Sequence, residues 1–113
     1  MSDIALVHVT FATAAEAEEI GRAMVGEQLA ACVNLLGPCS SIYRWQGKVE
    51  TAAEYRALFK TTPLLARELA DRIAALHSYD LPAIRSASSR ASNGVVLNNA
   101  RYSAAVSTLP CQR

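Results

Sequence analysis

The chain begins with an apolar run and continues with alternating helical and extended patterns. Ile4 to Phe11 is rich in Ile, Val and Thr, which predicts a strand buried on both faces. Thr13 and Glu16 are spaced as in a capping box, where the Thr13 hydroxyl and the Glu16 carboxylate accept from each other's amides. We therefore predict a helix over residues 14 to 29.

The middle of the chain predicts a long hairpin. Cys32 to Leu36 is apolar, and Gly37-Pro38 predicts a bend or bulge before the strand resumes as far as Trp45. Gln46-Gly47 then predicts a tight turn with Gly47 at positive φ, followed by a return strand from about Val49 to Thr61. Strands of this length overhang a small core, so we expect the overhang to pair with another subunit.

A second helix follows the hairpin. Thr62 is a suitable N-cap and Pro63 suits the first helical position. An apolar stripe continues to about His77, and Pro82 keeps its preceding residue out of the helical region. The order β, α, β, β, α indicates an α+β chain with the ferredoxin-like split βαβ pattern, short of its last strand.

The end of the chain has a different composition. Residues 85–94 contain four Ser, two Arg, an Asn and a Gly, and Asp80 is the last acid. This polar segment does not resemble an apolar final strand, so we predict a core of residues 1–84 and a divergent segment of the same domain, 85–113. Two interpretations stay open: a divergent but folded end, or a segment that has left its ancestral reading frame or lacks order.

Composition and charge exclude several classes of protein. The 113 residues are 51% hydrophobic, enough for one domain with one core, and the net charge of +1 does not indicate a nucleic-acid surface. No apolar run approaches the ~20 residues of a spanning helix, and the start lacks the basic region of a signal peptide. We therefore expect a cytoplasmic protein. Three cysteines without a CxxC pair argue against a disulfide framework and a structural zinc site.

Four motifs occur in a specific order: LAACVN at 29–34, SIYRWQGK at 41–48, FKTT at 59–62 and LHSYDLP at 76–82. Together they resemble the CutA divalent-cation tolerance family, whose usual Pro is replaced by Ser78; the family's C-terminal pattern is not recognisable. The resemblance implies a ferredoxin-like fold and a tight, PII-like homotrimer whose long strands pair between subunits. It also implies tolerance to divalent metals, especially copper, without an enzymatic reaction or a required cofactor.

Two residues are candidate metal ligands. His77 ends the second helix before a loop with free backbone carbonyls, although a histidine there also interacts favourably with the helix dipole. Cys32 is a soft ligand type, although a buried free cysteine more often packs as a small hydrophobe. The resemblance implies that this loop and the first strand supply metal-binding side chains, but the relevant strand position is Val9 here. His8 is expected to be hydrogen-bonded rather than a ligand.

A second candidate function is a PII-like binding module for a small anionic ligand between subunits. Tyr43 and Trp45 share one face of a strand, where they either cover a small-molecule pocket or pack between subunits. Lys60, near the free amides of the second helix, is either an anion ligand or a solvated side chain. Tyr79 completes this candidate set.

A third class, an enzyme or a nucleic-acid binder, is disfavoured. Tyr55 and Phe59 imitate the aromatic residues of an RNA-binding sheet, but the charge balance argues against that function. The spacing does not support a Ser-His-Asp or Cys-His pair.

Overall fold

Two helices pack on one face of a five-stranded antiparallel sheet in a computed structural model, which describes residues 3–80, 82–90 and 94–99. The sheet order is β2-β3-β1-β4-β5, which is the ferredoxin-like arrangement with β5 added at one edge. The predicted α+β fold is therefore confirmed. The elements are β1 Ile4–Phe11, α1 Ala14–Gly26, β2 Cys32–Trp45, β3 Lys48–Thr61, α2 Pro63–Leu76, β4 Ile84–Arg90 and β5 Gly94–Asn99.

Strand alternation divides the sheet into a core face beneath the helices and an open face on the opposite side. On β1, the core face carries four fully buried residues, Ala5, Val7, Val9 and Phe11. They pack with apolar residues of both helices, including Ile20 and Leu69. The intervening side chains of Leu6 and His8 on the open face are only half-buried. The prediction that β1 is buried on both faces is therefore wrong for these two positions, because no helix among the described residues covers the open face.

The capping box at the start of α1 forms only in part. The Glu16 amide donates to Thr13 Oγ1 at 3.1 Å, as the spacing predicted. The Glu16 carboxylate instead accepts from the Ser78 amide at 2.7 Å and from Ser78 Oγ at 3.0 Å. Glu16 thus ties the start of α1 to the loop after α2.

Helix α1 ends at Gly26, three residues before the predicted end. Gln28 has the left-handed φ of 62°, and its amide donates to the Val25 carbonyl at 3.1 Å. The Leu29 amide donates to the Met24 carbonyl at 3.0 Å, which completes a Schellman motif. The apolar stripe did not reveal this end because Gln, rather than Gly, takes the left-handed position.

Strands β2 and β3 form one long hairpin. A register shift between Leu35 and Gly37 confirms the predicted bulge, and Gly37 has φ 113°. Gln46 and Gly47 both have positive φ, 51° and 80°, as in a two-residue type I′ turn, so the predicted tight turn is also confirmed. Strand β1 pairs with β3 only from Tyr55 to Thr61, so the hairpin extends well beyond the helix-covered part of the sheet.

The final strand of the split βαβ pattern, which the polar composition left open, is present. Strand β4 pairs antiparallel with β1, from Ile84 opposite Val9 to Ser89 opposite Ile4. Its core face carries the buried residues Ile84, Ser86 and Ser88. Backbone pairing does not require apolar side chains, and serine is small enough to fit beneath α2. The end of the divergent segment, residues 100–113, lies outside the described residues.

Helix α2 matches its prediction closely. Thr62 Oγ1 accepts from the Leu65 amide at 3.2 Å, Pro63 occupies the first turn, and His77 is the C-cap. Within the described residues, no helix is both long and apolar enough to cross a membrane.

Candidate functional site

The His77 side chain lies buried where α2 ends against β1. Its Nε2 is 2.8 Å from the Thr10 carbonyl oxygen, and the Tyr79 amide donates to its Nδ1 at 3.0 Å. Because a carbonyl can only accept, the two contacts together require a neutral ring with the proton on Nε2. The Phe11 ring stacks on the imidazole with centroids 4.8 Å apart, which fixes the plane of the ring.

The charged groups around His77 are carboxylates. Burial lowers the pKa of His77, while its hydrogen bond to the Thr10 carbonyl and the charges of Glu16 and Glu54 act in the opposite direction. The neutral ring therefore keeps its lone pair on Nδ1. A carboxylate oxygen of Glu16, Oε2, lies 3.8 Å from that nitrogen.

Glu54 is a buried acid that we did not predict as part of the site. It is 4% exposed, and Tyr79 donates its phenolic hydrogen to Glu54 Oε2 at 2.7 Å. The other oxygen, Oε1, is buried and has no hydrogen-bond partner among the described residues. Local sequence does not show that a tyrosine 25 residues later covers this carboxylate.

The two predicted metal ligands lie apart in a single chain. Cys32 is opposite Lys60, which pairs with Leu6 of β1, whereas His77 contacts Thr10. Four residues along β1 correspond to about 13 Å, so Cys32 and His77 cannot bind one ion within the chain. No cluster of three or more His, Cys, Asp or Glu suited to a metal occurs in the described part of the chain. The imidazole of His77 and the neighbouring carboxylate of Glu16 are nevertheless ligand types that suit a divalent ion such as Cu²⁺ or Zn²⁺.

His8 lies in a different electrostatic environment. Burial first, and then the positive charges of Arg56 and Arg85, lower the pKa of His8. These two guanidinium groups on the open face also repel a cation. The expectation that His8 is hydrogen-bonded rather than a metal ligand stays a prediction.

The residues predicted for an anionic ligand do not converge in one chain. Tyr43 is opposite Glu50 near the hairpin turn, and Trp45 is opposite Lys48. Lys60 is ten residues from Glu50 along β3, a distance of about 33 Å. Lys60 also points to the open face, since strand alternation directs its neighbours to the core face beneath α2.

Tyr79, the fourth residue of that set, is buried against Glu54 rather than placed beside Lys60. The aromatic residues that resembled an RNA-binding sheet are also unavailable. Phe59 is fully buried in the core, and Tyr55 packs against it. The open face therefore does not present the pair to a nucleic acid.

Comparison with known proteins establishes the family. Residues 5–98 match the family model described as CutA1 divalent ion tolerance protein. The chain belongs to this CutA1 family. The divalent-cation tolerance protein CutA of Thermus thermophilus is 43% identical over 79 residues, which cover 70% of this chain and 77% of that protein. The match to the family model extends beyond Ile84, so strand β4 lies within the matched region.

Solved CutA structures share the fold. The crystal structure of CutA1 from Oryza sativa has a TM-score of 0.76 and 32% identity, covering 81% of this chain and 84% of that one. CutA from Xylella fastidiosa has a TM-score of 0.72 and 41% identity, with coverages of 82% and 88%. A similar structure from Archaeoglobus fulgidus, with a TM-score of 0.71, 35% identity and coverages of 74% and 80%, is described as a periplasmic divalent cation tolerance protein.

Proposed function

We propose that this CutA1-family chain supports divalent-cation tolerance as a non-catalytic, cytoplasmic homotrimer that binds copper or another divalent ion weakly. The family itself is one of divalent-cation tolerance proteins. The observation that carries the binding proposal is the neutral, oriented imidazole of His77, whose Nδ1 accepts from the Tyr79 amide and lies 3.8 Å from the Glu16 carboxylate. A metal-bound histidine typically donates its second ring N–H to a backbone carbonyl or carboxylate, as Nε2 of His77 does to Thr10.

The hairpin supports assembly into an oligomer. Ile42 is 74% exposed and Val49 is 67% exposed, and both lie where β2 and β3 extend past β1. Exposed apolar residues on a long hairpin favour pairing with another copy. Tyr43 and Trp45 lie far from Lys60 within one chain, so a shared ligand site requires that the hairpin of one copy approach Lys60 of another. The PII-like anion-binding function therefore depends on the trimer.

Copper titration by calorimetry tests the binding proposal. We expect saturable Cu²⁺ binding by the wild type and an affinity loss of at least tenfold in His77→Ala. Cys32→Ala is the matched comparison, because Cys32 is distant from His77 along the sheet. A loss of Cu²⁺ affinity confined to Cys32→Ala would place the binding site at Cys32 instead of His77. Equal affinities in all three proteins would mean that neither residue binds the ion.

Light scattering tests the assembly. The proposal predicts a particle three times the 12.1 kDa mass of the chain. A stable monomer at micromolar concentration would remove both the trimer and the intersubunit ligand site.

A further inference from the structure

Three basic side chains meet on the open face of the sheet, one from each of the adjacent strands β3, β1 and β4. His8 lies directly opposite Arg85 of β4, and Thr10, the next residue of β1 on this face, lies directly opposite Arg56 of β3. Opposed side chains have Cβ atoms about 5 Å apart, and diagonal neighbours about 7–8 Å apart. His8 therefore lies between two arginines, and we call His8, Arg56 and Arg85 the basic cluster.

The two arginines of the basic cluster lack an acidic partner. Both are exposed, and neither forms an ion pair or a side-chain hydrogen bond within residues 3–80, 82–90 and 94–99. The arginines that do pair with acids lie on the helices: Arg22, Arg67 and Arg72. The positive charges of Arg56 and Arg85 both act on the imidazole between them, since each lowers the pKa of His8.

The sheet itself supplies little negative charge. Strands β1, β2, β4 and β5 contain no Asp or Glu, and β3 contains only Glu50 and Glu54. The Glu54 carboxylate already accepts from Tyr79, and Glu50 lies six residues from Arg56 along β3, about 20 Å away. Lys60 adds a further positive charge on the open face. This face therefore carries an excess of positive charge that the described part of the sheet does not neutralise.

We propose that the basic cluster binds a dianionic tetrahedral oxyanion of the phosphate class. A guanidinium group donates two parallel N–H bonds to phosphate oxygens, and the imidazole adds a donor between the two arginines. Donors that come from three strands suit an anion with at least three acceptor oxygens, whereas a carboxylate offers two. This site lies apart from His77 and does not depend on the proposed cation binding. Unlike the predicted anion-binding set, it is formed within one chain.

An acidic side chain of another copy is the competing partner for these arginines. The most exposed apolar side chains of the sheet, Ile42 and Val49, lie on the hairpin rather than beside the basic cluster. An interface that did cover Arg56 and Arg85 would cost free energy unless a negative charge were buried with them. A small oxyanion meets that requirement in the free chain and in an assembly.

Calorimetric titration of the full chain with sulfate tests the inference, with chloride used to keep the ionic strength constant. Sulfate is a tetrahedral dianion whose charge does not change over the pH range in which histidine titrates. We expect saturable binding, weakened about tenfold or more in Arg56→Gln and in Arg85→Gln, because each variant loses charged hydrogen bonds. The control is Arg67→Gln, whose exposed guanidinium pairs with Asp71 on α2, and it should bind as the wild type does.

Two further arms test the chemistry of the ligand. Succinate has the same charge as sulfate but presents carboxylates, so we expect it to bind more weakly. Succinate binding as tight as that of sulfate would overturn the assignment to the phosphate class. Arg85→Lys keeps the positive charge and loses the planar fork, so its sulfate affinity should fall between those of the wild type and Arg85→Gln.

The ionisation of His8 reports whether sulfate lies at the basic cluster. A bound dianion offsets the charges of Arg56 and Arg85, so sulfate should raise the pKa of His8 and leave that of His77 unchanged. NMR titration of the two histidine rings, with and without sulfate at equal ionic strength, measures this shift. We expect the rise to be lost in Arg85→Gln. Saturable sulfate binding that leaves the pKa of His8 unchanged would place the anion elsewhere and overturn the inference.

Two other outcomes would also overturn it. Wild-type affinity in both arginine variants would show that the cluster is not the site. Absence of sulfate binding by the wild type, with a lower mass by light scattering in Arg56→Gln and Arg85→Gln, would identify another copy as the partner of the arginines. Neither outcome bears on the proposed cation site at His77. Circular dichroism spectra of each variant establish that a lost affinity does not come from unfolding.

Discussion

The two ends of strand β3 differ in how far their polar and apolar side chains are buried within one chain. At the Glu54–Thr61 end, helices cover the core face, and His77 and Tyr79 cover polar atoms of the neighbouring strands. At the hairpin end, Ile42 and Val49 expose most of their apolar surface. The side chains at the first end are buried by elements of the same chain. The exposed apolar side chains at the second end are typical of a surface that packs against another protein molecule. The proposed cation site and the proposed interface therefore lie on separate parts of one sheet.

The largest expected effect is at the covered end. Phe11 is fully buried and stacks on His77, so Phe11→Ala leaves a cavity beside the imidazole. We expect a loss of about 3–5 kcal/mol in the free energy of unfolding, measured by urea denaturation. Val49→Ala, at the exposed end of the β2–β3 hairpin, serves as the comparison under conditions that keep the chain monomeric, with a change within about 0.5 kcal/mol. Similar losses in the two variants would remove the distinction between the ends.

A charge on the hairpin tests the other half of the comparison. Ile42→Asp places a carboxylate on a surface that we propose is covered in the trimer, so we expect association to weaken at least about a hundredfold, or ~2.7 kcal/mol. Light scattering would then report the single-chain mass. Leu64→Asp is the control, because Leu64 is 91% exposed on α2, away from the hairpin. An unchanged mass in Ile42→Asp would show that the hairpin is not the interface.

The Tyr79–Glu54 contact should contribute less than the aromatic core. Tyr79→Phe removes the hydrogen bond to Glu54 Oε2 and leaves a buried carboxylate less satisfied. We expect a loss of about 1–3 kcal/mol, measured by denaturation near neutral pH. Tyr43→Phe at the hairpin is the matched control and should change stability by less than about 0.5 kcal/mol. Equal losses of stability in Tyr79→Phe and Tyr43→Phe would mean that the hydrogen bond to Glu54 does not stabilise the fold.

Most of the fold followed from periodicity and turn chemistry. The bounds of β1 and α2, the bulge before Gly37 and the turn at Gln46-Gly47 each depend on residues within a few positions of one another. Strand β4 could not be predicted in this way, because its stability comes from backbone pairing with β1 rather than from its own serine-rich side chains. A prediction based on apolar patterning therefore misses a strand such as β4, which is held mainly by backbone hydrogen bonds to its neighbour β1.

The site was predictable only in part. The helix end and loop identified His77, but the orientation of its ring depends on Thr10, which precedes it by 67 residues. Glu54 looked like one of several alternating polar residues on a strand. Its burial depends on Tyr79 from a later loop, and no local pattern encodes that contact.

The smallest expected effect is a pH dependence of stability. The folded chain holds the pKa of His8 below its ordinary value of 6.5, so the unfolded chain takes up the proton first as the pH falls. The contribution of His8 to stability is complete above about pH 6.5 and is lost as the pH falls towards the folded pKa. His77 contributes with the same sign.

Urea denaturation at about pH 7.5 and 5.5 measures this effect. We expect His8→Gln to reduce the loss of stability between the two pH values. An identical pH dependence in the wild type and His8→Gln would contradict the shift at His8.

The most direct test of the central claim is ¹⁵N NMR of the histidine rings, because the chain contains only His8 and His77. With His8→Gln used to assign the signals, the account predicts that His77 is neutral at pH 7, protonated on Nε2 and unprotonated on Nδ1. Addition of Zn²⁺ should then shift the Nδ1 signal of His77 and leave His8 unchanged. A proton on Nδ1 of His77, or saturable zinc binding that leaves the His77 signals in place, would contradict it.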